Sequence, residues 1–89
     1  MTPEAFKMIQ PTDVPNSCQI RMARAALNLT IRELADLVDV NKATIVRVEA
    51  GESVRASTKV AIAQKLVELG ASFWENAHQR ESFVCISKS

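Results

Sequence analysis

Eighty-nine residues, 47% of them hydrophobic and 24% charged, describe one small soluble globular domain with a limited core, which burial against a second copy would help to stabilise. No run spans a membrane and no signal peptide is visible, so Cys18 and Cys85, which lack metal-ligand spacing, read as reduced thiols in a cytoplasmic protein. A formal net charge of +1 is a weak argument for nucleic acid, but seven basic residues against five acidic ones lie between Gln19 and Lys59.

All three prolines lie in residues 1–15. Thr2, Pro3 and Glu4 make a favourable helix start, because proline at the first helical position wastes no donor, and they predict a short helix to about Ile9. Pro11 and Pro15 stop it. The segment is an arm whose Phe6 and Ile9 are free to dock on the domain or on a partner subunit. Its one basic residue, Lys7, makes a poor minor-groove reader.

Asn16 with Gln19 forms a capping box, opening a helix to about Asn28 that turns Ile20, Ala23 and Leu27 to the core and leaves Arg24 at the edge of that face. Thr30 with Glu33 forms a second. Leu34 and Val38 recur four apart, and the small Ala35 lets another helix approach closely. Asp39 interrupts the pattern, and Asn41 can cap a third helix with Ile45 and Val48 inward. Lys42, Ala43, Thr44, Val46 and Arg47 then face outward or border the core, and Gly51 suits the left-handed residue ending the helix.

Residues 52–56 read as a polar loop, with Ser57 capping a helix over 58–69 that Gly70 stops. Val60, Ile62, Ala63, Leu66, Val67 and Leu69 spread over about half of its circumference, so one arc covers the preceding helices and the rest needs a second copy. Residues 71–75 and 82–87 read as short strands around a polar turn, 76–81. The edge of 82–87 calls for pairing, in cis or from a partner subunit. Phe73 and Trp74 are core or interface anchors. His78 is a solvated side chain in the turn; no catalytic group, metal site or cofactor is expected.

The inward residues and the turn sit at helix-turn-helix spacing, and residues 19–51 closely resemble the phage-repressor family (Cro and repressor, or XRE), more loosely through 56–86. Ala35 stands at the family's alanine, and Leu34, Val38, Ile45 and Val48 at its apolar positions. Asp39 replaces the usual turn glycine, a mild departure because aspartate tolerates positive φ. Ile31 replaces a glutamine that contacts phosphate in the family.

The resemblance implies a mainly α fold: a lambda-repressor-like bundle of about four core helices with a short C-terminal β-hairpin or strand pair. It divides the chain into an arm (1–15), a DNA-binding domain (16–70) and strands for dimerisation (71–89). It implies a non-enzymatic, sequence-specific transcriptional regulator, a homodimeric repressor on an inverted-repeat operator in double-stranded DNA. The recognition helix, 41–50, would enter the major groove with Lys42, Ala43, Thr44, Val46 and Arg47 toward the bases. Arg47 can fork onto guanine, Lys42 can reach guanine or phosphate, and the Ala43 and Thr44 methyls can touch thymine. Thr30, Arg32, Asn41, Ser53, Arg55 and Lys59 are phosphate candidates. Arg24 is expected to pair with Glu49. Leu66, Leu69, Phe73, Trp74, Phe83, Val84 and Ile86 are expected at the dimer interface. The alternatives are an antitoxin-type module that masks a second protein while regulating its own operon, and a structural helical domain that has lost DNA binding.

Overall fold

Each of the first three helices begins where a short polar side chain can cap it. The computed structural model, which describes residues 6–76 and 81–87, places α1 at Ser17–Ala26, α2 at Ile31–Val38 and α3 at Lys42–Glu49. Asn16 Oδ1 accepts from the Gln19 amide at 2.8 Å, and Gln19 Oε1 accepts from the Asn16 amide at 3.1 Å. Thr30 and Glu33 make the same exchange at 3.0 and 2.9 Å, and Asn41 accepts from the Ala43 amide at 2.8 Å. Each cap satisfies amides that the helix leaves unpaired, which stabilises it by about 1 kcal/mol. Asp39 ends α2 at φ 60°, the left-handed conformation that the departure from glycine had to accommodate.

Helix α4, Ala56–Glu68, begins ahead of the predicted Ser57 cap. Arg55 is its N-cap residue; the Arg55 carbonyl accepts from Thr58 and Lys59 at 3.1 and 3.2 Å, and no side chain caps the end. Ala56 joins the helix without a propensity penalty, and Val54 packs against the core just upstream, fixing where the helix starts. Gly70 follows at φ 113°, where an added Cβ would lie 2.9 Å from the Ser87 carbonyl oxygen.

The N-terminal segment departs most from expectation. The predicted helix to about Ile9 is replaced by strand β1, Phe6–Ile9, paired antiparallel with β2, Ala71–Asn76, which pairs on its other side with β3, Glu81–Ile86. The arm is thus an edge strand of the sheet. Pairing with β1 satisfies the second edge of β2 and packs Ile9 against the core, a gain that local helix preference cannot match. The expected helix start at residues 2–4 and the turn containing His78 lie outside the described residues.

The core draws Ile20 and Ala23 from α1, Leu34 and Ala35 from α2, Ile45 and Val48 from α3, Ile62, Ala63 and Leu66 from α4, and Ala71 and Phe73 from β2. One face of the sheet joins it through Phe73, Val84, Ile86 and Ile9. This corrects the expected interface at Leu66 and Phe73, which are fully enclosed by their own chain; Val84 and Ile86 pack against the same core but are only partly buried. Leu69 remains exposed, and Trp74 and Phe83, opposite each other in register, lie on the sheet's other face with Phe6.

Candidate nucleic-acid interface

Helix α3 is amphipathic in a way that separates support from reading. Ile45 and Val48 are buried, while Lys42, Ala43, Val46, Arg47 and Ala50 are exposed. At about 100° per residue Ala43, Val46, Arg47 and Ala50 fall on one face opposite the buried pair, with Lys42 at its margin. Thr44 is half-buried and turned toward the buried side, so it stands apart from the other base-reading candidates. Asn41, Lys42, Ala43, Val46 and Arg47 surround one shallow, open hollow, and Glu52 completes its rim. Sequence reasoning missed Glu52: it lies beyond the helical pattern, in the loop that follows Gly51.

The end of α3 is tied to α1. Arg24 Nε donates to Glu49 Oε2 at 2.6 Å and Arg24 Nη2 to Glu49 Oε1 at 3.0 Å, while Nη1 donates to the Leu29 carbonyl at 2.9 Å. One guanidinium therefore joins α1, the α1–α2 loop and α3. The hydrogen bond to Glu49 and the charge of its carboxylate hold the Arg24 guanidinium above its ordinary pKa, against the opposing effect of burial. On the same helix Gln19 reaches the other way, donating through Nε2 to the carbonyls of Trp74 and Phe83 at 3.0 and 3.2 Å. Helix α1 thus lies between the sheet and α3.

The phosphate candidates bracket α3 along the chain. Thr30 caps α2: its hydroxyl oxygen accepts from the Glu33 amide at 3.0 Å, which places the side chain at the exposed N-terminal end of the helix. Arg32 is exposed in the first turn of α2. The exposed Glu33 carboxyl is lowered below the ordinary glutamate pKa by the Thr30 amide and then the Thr30 hydroxyl. Asn41 spends its side-chain oxygen on the α3 cap and keeps its amide hydrogens as donors. Ser53 and Arg55 are exposed in the α3–α4 loop, and Lys59 is half-buried beside Val48 and Gly51.

A helix-turn-helix family model matches residues 20–69, which takes in α2, α3, α4 and all but the first three residues of α1. The chain belongs to the XRE-type helix-turn-helix family. It is accordingly a DNA-binding transcription regulator, of a family whose domain is not enzymatic. No curated protein and no solved structure matches it. In this helix-turn-helix protein α2 precedes α3 across the Asp39 turn, the order of the motif's two helices. Among the described residues no helix is long and apolar enough to cross a membrane.

Proposed function

We propose that this regulator is a homodimeric repressor that binds an inverted-repeat operator, with α3 in the major groove of each half-site. The observation that carries the reading is the outward face of α3: Arg47 and Lys42 flank a small apolar centre, and Ile45 and Val48 anchor its back to the core. Arg47 supplies a fork for guanine O6 and N7, and Lys42 a donor for guanine or phosphate. Thr30, Arg32, Asn41, Ser53, Arg55 and Lys59 set the register through phosphates. A net charge of +1 leaves non-specific attraction weak, so base contacts provide much of the discrimination. The protein acts where the chromosome is, in the cytoplasm.

The outer edge of β3, with which no strand among the described residues pairs, and the exposed apolar end of α4, with Val67 at 38% and Leu69 at 41% exposure, support a second copy as partner. Selection from a random duplex library tests the whole reading. It should yield an inverted repeat with half-site centres about 10 base pairs apart. Leu69→Glu should weaken dimerisation and operator binding together, with circular dichroism unchanged. A monomer protecting one asymmetric half-site would remove the dimer; a library without enrichment would remove sequence-specific reading.

A second reading, an antitoxin-type module that also regulates its own operon, is favoured by the sheet face turned away from the core. Three of the four aromatic residues, Phe6, Trp74 and Phe83, lie there beside Met8, and the Phe6 and Phe83 rings are 6.0 Å apart. On that reading Phe83→Asp abolishes a stoichiometric complex with a different protein and leaves DNA binding by the free chain intact.

A further inference from the structure

The centre of the α3 reading face is made of methyl groups. Ala43 and Ala50 lie almost in line along the helix, Val46 flanks them on one side and Arg47 on the other. Val46 is 45% exposed although it sits on a helix whose other large aliphatic residues, Ile45 and Val48, are buried. Together with Ala43 it lines the hollow on this surface, which Asn41, Lys42, Arg47 and Glu52 surround.

The chemistry of that surface limits which base edges it can recognise. Bidentate reading of adenine needs a donor and an acceptor on one side chain, and Asn41, the amide at the hollow, commits its oxygen to the Ala43 amide at 2.8 Å. Reading the cytosine amino group needs an acceptor, and none of the outward side chains of α3 is one; Glu52, at the rim of the hollow, belongs to the loop after the helix. What remains is donation to guanine from Arg47 or Lys42 and apolar contact from Ala43 and Val46. In the major groove the apolar feature of the standard base pairs is the C5-methyl group of thymine. The small alanine centre also lets the helix approach the groove floor closely enough for such contact.

We propose that each operator half-site contains a thymine whose C5-methyl group is read by Val46 and Ala43, next to or one step from the guanine read by Arg47. This deepens the DNA-reading function proposed above and rests on it. Val46 and Arg47 are consecutive residues, and the base spacing of about 3.4 Å along a strand places their targets on neighbouring base pairs. The methyl contact is thus a specificity determinant separate from the guanine fork.

The test uses the full chain and the operator obtained by library selection, in which each thymine of one half-site is replaced singly by deoxyuridine. This removes the methyl group and leaves every hydrogen-bonding atom in place. At one position affinity should fall about four-fold, the ratio that corresponds to about 0.8 kcal/mol per buried carbon. Val46→Ala should weaken binding to the thymine operator and shrink the thymine-to-uracil ratio at that position toward one. Arg55→Ala should weaken binding to both operators and keep the ratio. Equal affinity for all the uracil operators overturns the methyl readout and leaves sequence-specific binding standing. A ratio unchanged in Val46→Ala overturns the role of Val46. Failure to select any operator overturns the underlying function as well.

Discussion

Arg24 grips Glu49 with two guanidinium nitrogens, at 2.6 and 3.0 Å, and Glu49 is only 7% exposed. The carboxylate is therefore desolvated and depends on its partner. Arg24→Met leaves a nearly buried charge unpaired and frees the Leu29 carbonyl, so it should destabilise the fold by about 3 kcal/mol. Arg24→Met combined with Glu49→Leu removes both charges and should cost clearly less than the sum of the single changes. Urea unfolding of the four proteins of this cycle measures the coupling; additive effects would return the pair to two independent charges.

On the proposed docking, Arg47 reads a base and Arg55 positions through a phosphate. Arg47→Ala should weaken operator binding by about 1–3 kcal/mol and relax preference at one base pair. Arg55→Ala should weaken all duplexes about equally and lower the slope of log affinity against log salt by about one. Titrations of operator and scrambled duplexes at several salt concentrations distinguish the two. An Arg47→Ala protein with unchanged preference would move the reading face off α3.

Gln19 has two duties, as the reciprocal cap of Asn16 and as donor to the Trp74 and Phe83 carbonyls. Gln19→Leu keeps the volume and leaves the Asn16 amide and both carbonyls without that partner. Losing this group of bonds from a fully buried side chain should cost about 3 kcal/mol, measured by thermal or urea unfolding. The loss should also show as faster amide exchange in the sheet, because Gln19 bonds α1 to both β2 and β3.

Glu33 gives a pH dependence of known sign. Its folded-state pKa lies below the ordinary glutamate value, so the stability it contributes is present above that ordinary value and lost as pH falls through the folded pKa. An NMR titration of the Glu33 side chain should give a midpoint below that of an unstructured glutamate. Thr30→Ala should move the midpoint back toward that value, since the hydroxyl is one of its causes.

The parts of the fold written in short-range chemistry are legible in the sequence. Asn16 with Gln19, Thr30 with Glu33, and Asn41 before Lys42 announce three helix starts within a few residues, and the structure places α1, α2 and α3 behind them. Residues 6–9 are illegible for the opposite reason: what makes them a strand is the bare edge of β2, far along the chain. Helix α4 shows a third case. Its apolar positions look alike by periodicity, and only the arrival of the sheet decides that Leu66 is enclosed while Val67 and Leu69 stay outside. On α3 the outward positions follow from the inward ones, but the presence of Glu52 at the rim of the hollow depends on how the loop after α3 folds back.

The pairing of β1 with β2 also orders events in time. Phe6 meets Asn76 across about seventy intervening residues, so this contact closes a large loop containing all four helices, whereas the helices and the β2–β3 hairpin form from neighbours. The bundle should therefore consolidate first and β1 dock last, as the slow phase of refolding. During synthesis the β1 segment leaves the ribosome early and waits for most of the chain before its partner strand exists.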